Sequence, residues 1–376
     1  MLKGFYLSLY IGQAPAPKEV IDCLTSVQVT TTAGQASGFQ LTFTAGKQSA
    51  LMTDLMPSGF LDPLSRVQIL VTVAGSPNVI LDGLVARLDE SAASNPGATT
   101  VTVTGEDVTL AMRLVDLSGL PYPCMNREMR MLAALGKYAF LGVVPEVIPS
   151  VFLEIPNPLD KWASHSGTDL DYIQAQAQEV GYVFYVTPET LGVNRAYWGP
   201  EIRWGDVQSA LSVNMDAHTN CESLTFSYDG TSRKLFLAMA QIPYTTYAIP
   251  VPIPDVGILR PQLAQRTPLP LKFEILNRND PDKGGSQRGP IQVIGLGLAR
   301  AAAAADCVTG NGTIDVLRYG RVLEARKLVD VRGAGRTFDG TYYVKSVTHN
   351  IKRGEYKQSF SLVREGTVPT TTGVQT

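Results

Sequence analysis

Apolar and polar residues alternate along much of the first 110 positions. Val27-Gln-Val-Thr30, Phe39-Gln-Leu-Thr-Phe43, Val67-Gln-Ile-Leu-Val-Thr-Val73 and Thr100-Val-Thr-Val-Thr104 follow this pattern. Turn residues separate them at Ala33-Gly34, Gly75-Ser-Pro77 and Asn95-Pro-Gly97. A period of two between such turns predicts half-buried antiparallel strands. The N-terminus alternates from Phe5 to Tyr10 and lacks a small-residue cleavage site, so it reads as a first strand and not as a signal peptide.

The period changes after Gly105. Glu106 and Asp107 can open a helix through Leu110 and Leu114, and residues 125–141 are rich in Ala, Leu and Met. Pro145, Pro149, Pro156 and Pro158 then break the chain. A clearer helix has Thr168 as its N-cap, Leu170, Ile173, Ala177 and Val180 on one face, and Gly181 as its stop. Tyr182–Val186 follows as a strand, and strand patterns return at Leu224–Tyr228 and Lys234–Leu237. Seven prolines between residues 243 and 270 predict an extended, semi-rigid linker. A helix from Ile291 to about Val308 and strands at Leu328–Arg332, Tyr342–Ile351 and Tyr356–Arg364 end the pattern.

The fold class is therefore α+β, mainly β. The expected organisation is a first β domain at 1–115, completed by 205–241, around an inserted α+β domain at 116–204. A Pro-rich linker at 242–270, a second β domain at 271–366 and a flexible tail at 367–376 follow.

The second β domain echoes the first. Leu70-Val-Thr-Val-Ala-Gly75 resembles Leu328-Val-Asp-Val-Arg-Gly333. Asp82-Gly83 and Asp339-Gly340 come next, each ahead of a strand, and the copies close at Gly105-Glu106 and Glu365-Gly366. These offsets predict that Gly75, Asp82 and Gly83 occupy the same structural turns as Gly333, Asp339 and Gly340. Asp-Gly suits a tight turn with positive φ at the Gly. The alternative is that antiparallel hairpins look alike under any alignment.

Composition narrows the function. With 44% of the 376 residues apolar and 18% charged, wholesale disorder is excluded. Polar surface must come from Thr, Ser, Gln and Gly, as on sheets and on subunits that bury much of themselves against partners. The net charge of −2 argues against a protein that coats nucleic acid. Residues 1–259 hold 14 Lys and Arg against 24 Asp and Glu, and residues 260–376 hold 18 against 10. The opposite signs fit attraction within or between subunits, or simply two different solvated faces. No run approaches the roughly 20 apolar residues that span a bilayer.

Candidate chemistry is sparse. Cys23, Cys124, Cys221 and Cys307, and His165, His218 and His349, are scattered without metal-ligand spacing. The thiols fit buried positions in a reducing compartment. Gly295-Leu-Gly-Leu-Ala-Arg300 lacks the third Gly of a dinucleotide loop. Ser164-His165 has no nucleophile elbow around it. Asp169, Asp171 and Glu179 read as helix-associated charges. Arg318, Arg321, Arg326, Lys327, Arg332 and Arg336 read as solvated strand faces or a subunit interface. Trp162, Trp198 and Trp204 read as packing residues. No catalytic, cofactor-binding or metal residue is expected.

The strongest local pattern runs from Leu317-Arg-Tyr-Gly-Arg-Val322 through Leu328–Gly335 and Phe338–His349 to Arg353–Gly366. It closely resembles the C-terminal part of the phage late-control D family. Those are baseplate hub proteins of contractile phage tails and of contractile injection systems, related to the hub portion of VgrG. Thr168–Tyr185 is similar to that family's middle segment, and Leu81–Val85 with Val103–Asp107 is similar to its first hairpin.

The resemblance covers nearly the whole chain. It implies two tube-like antiparallel β-barrel domains per chain and a homotrimeric ring with a central channel. It also implies a structural, non-enzymatic role as adapter between a six-fold tail tube and a three-fold spike. The implied partners are the tail tube protein, a trimeric spike as a separate polypeptide because the chain stops at Thr376, and LysM-type or wedge baseplate proteins. The implied location is a virion tail baseplate or an injection-system particle assembled in the bacterial cytoplasm, without nucleic-acid specificity or stable membrane insertion. The rival readings are a tail-associated peptidoglycan hydrolase, which needs two positioned carboxylates, and a cell-wall-binding module.

Overall fold

The computed structural model describes residues 4–46, 48–92, 99–150, 163–241, 248–253, 260–276, 297–298, 300–302 and 304–370. The N-terminal array comprises β1 (Phe5–Ile11), the short β2 (Ala14–Pro15), helix α1 (Lys18–Cys23), β3 (Leu24–Thr32), β4 (Gly38–Ala45), β5 (Arg66–Val73), β6 (Ser76–Ala92) and β7 (Thr99–Asp107). Six of these strands pair antiparallel in the order β1-β5-β6-β7-β4-β3. The alternation predicts which side chains face the core. Val27, Val29, Leu41, Phe43, Val67, Ile69, Val101 and Val103 are all at most 2% exposed and share one cluster.

The middle unit holds β8 (Pro121–Tyr122), α2 (Arg127–Gly136), β9 (Val143–Val147), β10 (Ala163–Ser164), α3 (Asp169–Val180), β11 (Val183–Thr190) and β12 (Val193–Gly199). β11 and β12 form a hairpin, and β9 runs parallel to β12. Helix α3 starts where its cap predicts. The Thr168 hydroxyl accepts from the Asp171 N–H, the Asp171 carboxylate accepts from the Thr168 N–H, and Gly181 ends the helix at φ 74°. The helix expected after Gly105 is a 3-10 turn, Val108–Arg113, capped by Asp107.

The C-terminal part holds β13 (Val207–Ser212), β14 (Cys221–Tyr228), β15 (Lys234–Gln241), β16 (Ala248–Ile253), β17 (Ala264–Arg266), β18 (Lys272–Leu276), β19 (Val308–Asp315), β20 (Leu328–Arg332), β21 (Gly340–Lys352), β22 (Glu355–Arg364) and β23 (Thr367–Pro369). Six of them pair in the order β13-β20-β21-β22-β19-β14. Counted along the chain, this is the order of the N-terminal array, strand for strand. The difference lies in the first strand: β1 runs antiparallel to β5, whereas β13 runs parallel to β20. Pairing of β3 with β21 joins the arrays into one sheet of thirteen strands among the described residues.

Three boundary expectations need correction. Residues 205–241 do not complete the N-terminal array, because β13 pairs with β20 and β14 with β19. Alternation identifies a strand but not its distant partner. The Pro-rich stretch is not all linker. β16 carries Pro250 and Pro252 along the edge of a three-stranded sheet, where alternate N–H groups face away from the ladder. Residues 367–369 form a strand against β17 and not a tail, and residues 371–376 lie outside the described residues. The helix expected from Ile291 to about Val308 is shorter: residues 291–296, 299 and 303 lie outside the described residues, and the chain is no longer helical from Ala304 on. Leu298 and Ala301 are helical, and β19 begins at Val308.

Candidate interaction surfaces

The residues that alternate with the core build a second face. Gln28, Gln40 and Thr104 line up across it in the N-terminal array, Thr42 stands opposite Thr102, and Thr30 stands opposite Gly38. Asn311, Thr313, Thr348, Asn350, Ser359 and Ser361 continue it in the C-terminal array. Thr30 and Thr348 meet where the arrays join, their hydroxyls 3.1 Å apart. Arg87 and Asp89 share this face opposite Thr104 and Thr102 and pair with each other at 2.7 Å, so hydroxyls, amides and cancelling charges keep it hydrated with little net field.

The residues expected to mark equivalent turns separate into two groups. Ala74 and Gly75, at φ 50° and 86°, make the two-residue turn between β5 and β6. Gly333 follows β20 at φ 83°, and Asp339 Oδ1 closes the loop by accepting from the Ala334 N–H at 2.8 Å. Gly340 opens β21 at φ 110°. Asp82-Gly83, in contrast, is not a turn. It sits inside β6, a strand of 17 residues, with Gln68 opposite Asp82 and Val67 opposite Gly83. Gly83 is needed for another reason: a Cβ there would stand 2.3 Å from the Glu106 carbonyl oxygen. The apolar residues Leu81, Leu84 and Val85 carry the strand through the dipeptide.

Asp82 does more than fit. It is 1% exposed and accepts from Arg66 Nε at 2.8 Å, Arg66 Nη2 at 2.7 Å, Gln68 Nε2 at 2.9 Å and Asn194 Nδ2 at 2.9 Å. Arg66 also donates to the Leu141 carbonyl at 2.8 Å. One buried carboxylate thus fastens the middle unit to the N-terminal array.

Arg326 makes the corresponding link for the C-terminal array. It stacks on Tyr185 at 4.0 Å and donates to Thr187 Oγ1 and the Thr32 carbonyl, each at 3.0 Å. It is therefore not a solvated residue, although Arg318, Arg321 and Arg336 are exposed as expected. Arg364 is enclosed over Tyr342 at 4.2 Å and donates to the Asp339 carbonyl at 2.8 Å. Sequence reasoning missed Arg66, Asn194 and Arg364, whose partners lie on other strands or loops.

The remaining candidates resolve individually. His165 is 2% exposed with Nδ1 2.9 Å from the Tyr122 hydroxyl, while Ser164 is exposed on β10. Asp169 is held by Lys137 and Tyr138, each at 2.7 Å. Trp198 is buried, but Trp204 is 51% exposed in a groove of about 960 Å³ shared with Tyr185, Pro188 and Arg326. Trp162 lies outside the described residues. Burial pushes the Cys221 thiol up to about 12 and that of Cys307 up to about 11. Cys124 is exposed, contrary to expectation. Burial pushes the His349 imidazole down to about 3, with Nδ1 2.8 Å from the Tyr356 hydroxyl. Among the described residues no cluster of three metal ligands occurs, and no helix is long and apolar enough to cross a membrane.

No family model matches the chain, and no curated protein matches it significantly. Solved structures do. The tail protein from Neisseria meningitidis MC58 aligns with TM-score 0.63 at 12% identity, over 97% of this chain and 98% of that one. The fold is one found in phage tail proteins. The 43 kDa tail protein of prophage MuSo2 from Shewanella oneidensis gives 0.62 at 14% identity, over 96% and 99%. A Francisella PdpA-VgrG complex gives 0.59 at 10% identity, over 99% of this chain but 54% of that chain.

Proposed function

We propose that the chain is a structural baseplate hub subunit of a contractile phage tail or contractile injection system, similar to the late-control D family. Two arrays with one strand order, in a chain matched end to end by tail proteins, carry this reading. Three such chains hold six arrays of one strand order. A trimeric ring can then meet a six-fold tube by repeated contacts and a three-fold spike by its own symmetry. The neutral polar face supports its use as a channel lining. The partners are the tail tube protein, a trimeric spike and neighbouring baseplate proteins, in a particle assembled in the bacterial cytoplasm. The role is geometric and not enzymatic.

The test is co-expression with the tube and spike proteins of the same source, followed by single-particle imaging. Three hub chains per spike are expected. One, two or six chains per spike would overturn the reading, as would peptidoglycan turnover by clean protein that is lost on changing one carboxylate.

A further inference from the structure

We infer that two strand edges left open in each chain pair with each other between copies, in the register of the edge that is closed within the chain. The inference rests on the hub reading for its stoichiometry and on the sheet for its register. Inside the chain, β3 pairs with the C-terminal half of β21, from Thr32 opposite Ser346 to Ser26 opposite Lys352. By strand order, β14 holds the place of β3 in the C-terminal array, and β6 holds the place of β21 in the N-terminal array. Among the described residues, β14 pairs only with β19, and residues 87–92 of β6 pair only with β7. Unpaired strand edges are templates for further pairing.

Matching bulges set the register. β6 has one extra residue, Ala86, between Val85 and Arg87, and β21 has Lys345 between Val344 and Ser346. β3 has Thr25 between Leu24 and Ser26, and β14 has Glu222 between Cys221 and Ser223. Aligned on these bulges, Thr348 corresponds to Asp89 and Thr30 to Ser227. The contact of Thr30 with Thr348 inside the chain therefore places Ser227 of one copy opposite Asp89 of the next. The same register sets Asp229 opposite Arg87, Tyr228 opposite Leu88 and Thr225 opposite Ser91.

The chemistry agrees with this register. Asp229 meets Arg87, which pairs with Asp89 at 2.7 Å within its own chain; Tyr228 meets Leu88, Thr225 meets Ser91, and the Ser227 hydroxyl can donate to the Asp89 carboxylate. Glu90 opposite Phe226 is the least matched pair. Asp89 is partly exposed, and Arg87, Ser91, Thr225, Ser227, Tyr228 and Asp229 are exposed, as an unmade interface requires. The two edges differ, so the contact is head-to-tail and must close into a ring to avoid a filament.

Disulfide trapping tests the register. Asp89→Cys with Ser227→Cys is compared with Asp89→Cys and Thr225→Cys, both in a Cys124→Ser background. The purified full chain is oxidised at rising concentration and run on non-reducing denaturing gels. The first variant should yield covalent species that end at three chains, about tenfold above the offset variant, since a disulfide forms only between Cα atoms within about 7 Å. A second readout is charge exchange: Arg87→Asp should lower the yield, and adding Asp229→Arg should restore it. Equal yields in the two variants, no covalent species, or a ladder beyond three chains would overturn the seam. A hub found in tail particles without this cross-link overturns the seam alone, whereas absence of the chain from such particles overturns the hub reading.

Discussion

Asp82-Gly83 and Asp339-Gly340 are the same dipeptide in two arrays of the same strand order, yet they do different work. The first pair lies inside a strand, where Asp82 is a buried acceptor for three side chains and Gly83 permits close approach of the β7 backbone. The second pair ends a loop, where Asp339 accepts one loop N–H and Gly340 adopts φ 110°. Matched residue types are therefore a poor guide to matched positions here. The bulges at Ala86 and Lys345 align the arrays two residues away from the dipeptide match: they place Gly83 with Tyr342. Bulges report backbone geometry directly, whereas Asp-Gly serves several geometries.

The largest expected contrast is between the two aspartates. Asp82→Ala strips a partly buried Arg66, Gln68 and Asn194 of their common acceptor and should cost about 3–5 kcal/mol. Asp339→Ala removes one loop hydrogen bond and should cost about 0.5–1.5 kcal/mol. Urea midpoints of the two variants check the order, and equal losses would break the distinction.

Acid provides the next contrast. The bulge alignment puts buried His349 where the N-terminal array has exposed Glu90. The folded imidazole sits near 3 because of burial, below an unfolded value of about 6.5. The unfolded chain therefore binds the extra proton. His349 leaves stability intact above about pH 6.5 and drains up to about 1.4 kcal/mol per pH unit as the pH falls toward 3. His349→Gln should flatten this part of the pH dependence, measured as unfolding free energy at several pH values.

The glycines give a smaller effect of similar size by different routes. Gly340→Val forces a β-branched residue to φ 110° with its Cβ 2.4 Å from Pro369 Cβ, and should cost about 1–3 kcal/mol. Gly83→Ala pushes a methyl against the Glu106 carbonyl and should cost about 1–3 kcal/mol by overpacking. Hydrogen exchange separates them: the first should loosen β23, the second β6 and β7. Thr168→Ala lies in neither array. It should cost about 1 kcal/mol by removing the cap of α3, read as a drop in Tm.

Much of the secondary structure was legible because its causes are local. Val27, Val29, Leu41 and Phe43 alternate with polar neighbours, and those positions are the core. Thr168, Asp171 and Gly181 mark the ends of α3 by hydrogen bonds within a few residues. The Asp82 cluster was not legible, because Asn194 lies 112 positions away and nothing near Asp82 distinguishes a buried acceptor from a turn residue. Arg326 was misread for the same reason: its ring partner Tyr185 and its acceptor at Thr32 come from two other parts of the chain.

By itself the sequence determined where strands and capped helices form, since backbone preference and side-chain period act over two to four residues. Only the tertiary structure decided that β14 belongs beside β19, that β3 joins β21, and that Asp82 binds the middle unit. An alternating strand offers the same hydrogen-bonding edge to any partner. The choice among partners is made by burial of the apolar face and by satisfaction of buried polar groups, which exist only once distant segments have met.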